Sequence, residues 1–456
     1  MVKKIQAFTL FLFLILLVTC SPSEKITYNP ETAILLQNIA VFNAESGRMN
    51  QPQDVLIDGE KIVAIRPTKS KLDAADSIDC SGKYVIPGLC DSHTHLSFLT
   101  PQGEESLRAA LAEFVHRGVL YVRDVGGPID VISRMKSRIT SGQLTGPEIF
   151  FTGPMFESSP LHWEQFNETL PGFTIALNTK EDVDIKLLEL AGSGAKLMKT
   201  FNNVKPELYP YIVEIAQKNH LRIVHDPGRP LLHWIPIHMA LEQGITSIEH
   251  AMAPWPYVLK DEYREKLDAL TDPDADPAQQ VKFSVQMAEL GLAGISDKRL
   301  KDLSDLMIAN GAVLCPTLRA FRASEEEIET TEAKGEPTEE QKAKGRINSG
   351  MNVVNEYFVK KLSDYGVEML VGQDNIEAVG TLEEMILMNE AGVTELEVLR
   401  GATIYAMEWL EVDDRYGTVE PGKIADLVVL NSNPLDDIAH VGDVFMVIQH
   451  GEIVKK

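Results

Sequence analysis

Pro87-Gly88-Leu89-Cys90-Asp91-Ser92-His93-Thr94-His95-Leu96 follows directly on the apolar Tyr84-Val85-Ile86. The run reads as a short buried strand that emerges into a His-Thr-His end. Side chains two apart on a strand point to the same side, so His93 and His95 can aim their rings at one point. Two imidazoles so placed can share a metal ion. A lone His-x-His is a weak signal, and the reading turns on whether the rest of the chain supplies partners at matching places.

Downstream of this stretch, strand and helix signals alternate, the pattern of β/α units on a parallel sheet. Amphipathic sequence over 104–117 precedes Val119-Leu120-Tyr121-Val122-Arg123-Asp124. Ile149-Phe150-Phe151-Thr152-Gly153-Pro154 makes a third strand. A helical stretch over 180–192 leads into Ala195-Lys196-Leu197-Met198-Lys199-Thr200-Phe201, and one over 206–219 into Leu221-Arg222-Ile223-Val224-His225-Asp226. The remaining strand runs end at Glu249-His250, at Thr317-Leu318 and at Gln373-Asp374, each after helix-period sequence. Eight strands, each followed by helical sequence, are the number that closes a barrel. The two chain ends differ: Ile34-Leu35-Leu36, Val55-Leu56-Ile57 and Ile62-Val63-Ala64-Ile65 near the start, and Leu427-Val428-Val429-Leu430 and Val444-Phe445-Met446-Val447-Ile448 near the end, are strands between turns. Two β-rich ends around one long middle suggest a single small sheet domain built from both.

Lys199, His225, His250 and Asp374 all lie at the C-terminal ends of apolar strands, the end at which barrel active sites are built, and His93 and His95 share it. Taken singly, His225 could be a hydrogen-bonded loop residue, His250 a satisfied core histidine, Asp374 a helix N-cap and Lys199 a surface lysine. Their convergence argues for one site. Lys199 has the parity of Leu197, and a charge facing a barrel interior is costly unless paired or coordinated.

Lys3 and Lys4 followed by the apolar run Ile5 to Val18 make a targeting segment too short for an ordinary membrane span. It ends at Leu17-Val18-Thr19-Cys20 and resembles a bacterial lipoprotein signal, with Cys20 as the lipidated new N-terminus. Thr19 departs from the usual small residue before that cysteine, and an ordinary secretion signal or an uncleaved anchor is the alternative. Each of these readings takes the protein out of the cytoplasm, to the periplasm or the cell surface, with a lipid anchor in the first. Cleavage before Cys20 removes two lysines and no acid from a chain whose net charge is already −24. So acidic a protein disfavours nucleic acid or anionic lipid as partners through general electrostatics. Beyond Cys20 only Cys80, Cys90 and Cys315 remain, too few and too scattered for a disulfide framework.

With these residues in place, the sequence resembles the amidohydrolase superfamily, in particular its imidazolonepropionase-like and Xaa-Pro dipeptidase-like members. The resemblance rests on Val85-Ile86-Pro87-Gly88-Leu89 with Asp91-Ser92-His93-Thr94-His95, on Tyr121 to Gly127, on Gly194 to Lys199, on Ser247-Ile248-Glu249-His250, and on Gly417 to Leu430. It implies an α/β fold, a distorted (β/α)₈ TIM barrel over 87–411, with a small β-sandwich from 30–86 and 412–456 after a signal peptide over 1–19. It further implies that His93, His95 and Asp374 hold one metal, that His225 and His250 hold a second, and that Lys199 bridges them as a carbamate formed with carbon dioxide. Such ligands suit two Zn²⁺ ions or other divalent metals. Asp374 is the implied catalytic proton carrier in hydrolysis of an amide-type carbon–nitrogen bond of a small-molecule substrate, a dipeptide, N-acyl amino acid or cyclic amide.

The sequence departs from relatives at Asp226-Pro227-Gly228-Arg229 after His225 and at Gln373 before Asp374, both positions expected to face substrate. Arg123 and Arg229 are candidates to hold a substrate carboxylate through their guanidinium forks. His162 stands in the loop where some relatives place a substrate-binding histidine. The long connection 251–300 reads equally as a lid or as a solvated insertion. Three functional readings follow: a binuclear metal hydrolase, a mononuclear deaminase-like enzyme, and a ligand-binding lipoprotein without catalysis.

Overall fold

The computed structural model describes residues 26–69, 71–228, 234–270, 276–322 and 339–456. The targeting segment with Cys20, and Arg229, lie outside the described residues.

Both chain ends enter one nine-stranded sheet. Its first part is β1 Ile34–Asn43, β2 Arg48–Met49, β3 Gln53–Asp58, β4 Lys61–Pro67, β5 Asp76–Asp79 and β6 Tyr84–Pro87; its second is β16 Leu427–Leu430, β17 Val444–Gln449 and β18 Glu452–Lys455. The long strand β1 serves two layers. Residues 34–37 lie between β3 and β5, whereas Ala40 and Val41 pair with β6, which pairs with β16. The changeover is a bulge between Leu36 and Ile39, where Asn38 has φ 59°. An extra residue in a left-handed conformation bends a strand, which lets β1 pass from one layer to the next. Leu36, Ile39, Val55 and Ile57 then meet Val85, Leu427, Val429 and Ile448 in one dry cluster between the layers.

The middle of the chain forms the barrel. Its strands are β7 Leu89–Thr94, β8 Val119–Asp124, β9 Glu148–Phe151, β10 Met155–Glu157, β12 Leu197–Phe201, β13 Arg222–Asp226, β14 Ser247–Glu249 and β15 Val313–Cys315; β11 Thr174–Ala176 pairs beside β10. The third strand of the ring is split. Gly153, at φ 68°, turns the chain between β9, which pairs β8, and β10, which pairs β12. The eighth position is filled by 367–374. Leu370 N donates to Leu314 O on β15, and Ser92 N on β7 donates to Val371 O, so this segment joins the last strand to the first. The ring distorts at these two places.

Alternation sorts the strand residues into two cores. Cys90, Tyr121, Leu197, Val224, Val313, Cys315 and Leu370 fill the barrel interior. Ile149, Met198, Ile223 and Ile248 face the surrounding helices. Those helices are amphipathic for the same reason. In Glu104–His116 the buried residues are Leu107, Leu111, Phe114 and Val115, one stripe at helical spacing. Helix Lys180–Gly192 starts at a capping box in which Thr179 and Asp182 each accept from the other's backbone N–H, a device that stabilises a helix end by about 1 kcal/mol.

The connection after β14 is helical, with Trp255–Val258, Asp261–Asp268 and Pro277–Leu290 preceding Asp297–Ala309. Trp255, Leu267, Phe283 and Met287 bury into the main core, so the described part of this connection is packed structure.

Candidate metal centre

Strand β7 is buried at every residue; it carries His93, and His95 follows its end, the two rings standing 5.4 Å apart. His93 Nδ1 lies 2.7 Å from Glu249 Oε2, and His95 Nδ1 lies 3.1 Å from the carbonyl oxygen of Gly126. Both partners are acceptors, so each Nδ1 donates and each Nε2 is the ring nitrogen turned toward the cavity floor. Those two Nε2 atoms stand 3.4 and 3.2 Å from Asp374 Oδ1. Asp374 has φ 56° and His250 φ 70°. A left-handed residue without glycine is strained, and such strain concentrates where side chains must be aimed.

The second half of the cluster is Lys199, Asp226 and His250. Lys199 Nζ is 2.8 Å and His250 Nε2 3.0 Å from Asp226 Oδ2, and His250 Nδ1 is held by Thr317 Oγ1 at 2.7 Å. His93, His95 and Asp374, and likewise His93, Asp226 and His250, offer ligand atoms within 4.8 Å of one another.

His225 is not brought to this cluster. Its Nδ1 meets Thr200 Oγ1 at 3.0 Å and Tyr209 OH at 3.2 Å, and its Nε2 meets Ile235 O at 3.0 Å. The cause is register. Lys199 pairs with Val224, so Val224 and then Asp226 take the inward parity while His225 turns outward beneath helix Tyr209–Lys218. Burial there pushes the His225 imidazole down to about 4. Asp226, two residues beyond Val224, occupies the place expected for His225.

Arg123 is not among the residues that line the cavity above the cluster. It is 1 % exposed and lies below the cluster, donating to Ser92 O, Ser247 Oγ and Glu249 Oε1 at 2.6, 2.7 and 2.7 Å. Burial pushes the Glu249 carboxyl up, but Arg123 and His93 outweigh it and hold the group at about 2. Arg123 therefore fixes an ionised Glu249, which in turn fixes His93. Gln373 also turns away from substrate: it is fully buried and donates to Asp91 Oδ2 and Glu377 O. Asp91 further accepts from Thr381 Oγ1 and His93 N, so that it joins the first strand of the ring to the eighth segment through Gln373 and to the helix Val379–Glu390 through Thr381.

Above the cluster opens a cavity of about 490 Å³. His95, Lys199, Asp226, His250 and Asp374 form its floor, and His162 and Gly228 stand in its wall. The His162 ring packs on Trp163 and Phe201 at centroid separations of 5.0 and 6.0 Å. Phe98, Trp163, Phe166, Phe173 and Phe321, which sequence reasoning did not single out, line the same cavity. They lie in loops and short helices, where no periodicity marks them.

The residues present fit a metal ion. His93 Nε2 is buried with no hydrogen-bond partner among the described residues, although its other nitrogen is anchored. An imidazole lone pair held dry beside a second imidazole and a carboxylate is a donor set for a divalent cation.

Comparison with known proteins agrees with this geometry. The sequence model described as "Amidohydrolase family" matches residues 282–454. The chain is 34% identical over 89 residues to an adenine deaminase of Clostridium acetobutylicum, covering 20% of this chain and 15% of that protein. It is 38% identical over 66 residues to an imidazolonepropionase of Arthrobacter sp. (strain FB24), covering 14% of this chain and 16% of that protein. The chain thus spans about a sixth of the length of these curated relatives. Over 93% of its length it superposes on the whole of a Xaa-Pro dipeptidase with bound methionine, at TM-score 0.69 and 20% identity, a likeness of fold. The C-terminal segment 282–454 is thus similar to the amidohydrolase family, and the fold is similar to that of the Xaa-Pro dipeptidase.

Proposed function

We propose that this protein is a metal-dependent hydrolase that cleaves an amide-type carbon–nitrogen bond of a small molecule. The observation that carries the reading is the convergence of His93 Nε2, buried and without a hydrogen-bond partner among the described residues, and His95 Nε2 on Asp374 Oδ1 at the floor of the cavity. His93, His95 and Asp374 would hold one cation; Asp226 and His250 would hold a second, with Lys199 as a bridging carbamate. Bound there, divalent cations supply a water of lowered pKa and polarise the substrate carbonyl. The chain's own part follows from its geometry. Asp374 takes a proton from the attacking water and returns it to the departing nitrogen as the carbon–nitrogen bond breaks, leaving a carboxylic acid and an amine. Glu249 and Arg123 keep the His93 ring in place throughout.

One observation favours a second reading. In the structure Lys199 is paired with Asp226 at 2.8 Å, and a lysine that stays an ammonium already neutralises the second position and leaves one cation at the first. A single-metal, deaminase-like reaction fits that state.

The test is hydrolysis of an amide panel by chelated and metal-restored protein, beside Asp374→Asn. The expected result is activity lost on chelation, restored by Zn²⁺, and reduced at least about 100-fold in the variant. Metal-independent hydrolysis, or none with metal restored, refutes the proposal. Export with a lipid on Cys20 belongs to the same proposal, and a Cys20→Ser chain that stays in the membrane fraction and takes up fatty acid would overturn it.

A further inference from the structure

The cavity above the metal centre is two-faced. All the ionisable cluster lies on its floor. Among the described residues of its wall, none carries a carboxylate, an ammonium or a guanidinium. One side of that wall is a continuous aromatic stack that begins at the metal centre itself. The His95 ring lies 6.0 Å from Phe173 and 6.4 Å from Phe98. Phe98 and Phe173 are 4.9 Å apart, and Phe166 stands 5.2 and 5.5 Å from them in edge-on geometry. Trp163 then stacks on Phe166 at 5.1 Å. Across the cavity Phe321 stands edge-on to His250 at 6.2 Å.

These rings come from separate places: the 3₁₀ helix Leu96–Gln102, the 3₁₀ helix Glu164–Glu168 with Trp163 before it, and the stretch leading into β11. Phe173 is 2 % exposed, while Phe98, Trp163 and Phe166 keep part of their surface in the cavity. An aromatic wall with exposed faces is stabilised by another flat apolar group, since offset and edge-on ring contacts add to the gain from removing apolar surface from water. A charged substituent beside the rings would lose its hydration, and the aromatic side offers no carboxylate, ammonium or guanidinium among its described residues to pair with it.

We propose that the substrate is an amide carrying an aromatic ring on one side of the scissile bond, seated against the cavity-facing sides of Phe98, Trp163 and Phe166, with no charged group on that side. The inference deepens the hydrolase reading and rests on it for the position of the scissile bond. It selects aryl amides over dipeptides whose free termini would have to enter the aromatic side.

The test has two arms that separate the two claims. In the first, metal-free full-length protein is titrated with benzamide and with acetamide, followed by ligand-observed NMR. Benzamide binding at least about tenfold tighter than acetamide is expected, with the difference lost in Phe166→Ala and reduced in Phe173→Leu, whose apolar replacement keeps the core filled. In the second, the metal-loaded enzyme is given N-benzoyl and N-acetyl derivatives of one amine. A kcat/KM ratio of roughly 10 to 100 in favour of benzoyl is expected, falling towards unity in the same variants. Equal binding of both probes, or a preference for the acetyl compound or a free dipeptide, overturns the aromatic subsite. If benzamide binds in a Phe166-dependent way while no amide is hydrolysed, the subsite stands and the hydrolase reading falls.

Discussion

Replacing Arg123 by Met removes the cation beneath the candidate metal centre while keeping most of the side-chain length. Three donated hydrogen bonds disappear, to Ser92 O, Ser247 Oγ and Glu249 Oε1. Glu249, fully buried, is left with Ser247 Oγ and His93 alone. Breaking one partner out of a buried ion pair costs about 3–5 kcal/mol, because the remaining charge is uncompensated. In a chain of this size that lowers the melting temperature by roughly 5 °C or more. Loss of the anchor on a ligand histidine weakens metal binding by about 10- to 100-fold. The decisive assay is a double-mutant cycle of Arg123→Met, Glu249→Gln and the double variant, followed by thermal unfolding and metal titration. The double variant has no stranded charge and is expected to recover at least about 1 kcal/mol relative to the sum of the singles. A near-neutral Arg123→Met, or strictly additive effects, would refute the view that Arg123 acts by holding Glu249.

Gly372 offers a purely steric test: a Cβ there would stand 2.6 Å from both His93 N and Cys315 Sγ. Gly372→Ala is expected to cost about 1–3 kcal/mol in chemical unfolding and to weaken metal binding by displacing His93. His225 gives a pH signature of opposite origin. Burial lowers its imidazole from an ordinary 6.5 to about 4, so between these values the unfolded chain binds the extra proton, and stability falls as pH drops through that window. The loss amounts to about 3 kcal/mol, and His225→Gln should flatten that part of the stability–pH curve; an unchanged curve would mean that His225 is not the buried neutral group described.

The barrel was legible because its strands are apolar runs that each end in a polar, chemistry-bearing residue. The ring's distortions were not: Gly153 splitting the third strand and the irregular eighth segment follow from pairing across the ring, which local sequence does not encode. The same gap explains the fifth strand. In Leu221-Arg222-Ile223-Val224-His225-Asp226 both parities carry an apolar and a polar residue, so alternation alone does not tell which of His225 and Asp226 faces inward. Register with Lys199 decides for Asp226, and the inward alternate Arg222 beneath Val224 was the one available hint. Arg123 and Gln373 illustrate another limit. Both are long polar side chains beside ligand residues, and only the positions of Glu249 and Asp91, distant in sequence, turn them from the cavity into buried networks. The aromatic wall was invisible because its rings meet only after three loops converge.

The central claim, that the strand-end cluster is a metal centre completed by Asp226, is tested most directly by metal content. Elemental analysis of the chain beginning after Cys20 should be run beside Asp226→Ala, His225→Gln and Lys199→Ala. The account predicts about two divalent ions per chain in the parent and in His225→Gln, with one fewer in Asp226→Ala and in Lys199→Ala. No bound metal in metal-supplemented protein, or an ion lost from His225→Gln and kept in Asp226→Ala, would contradict it.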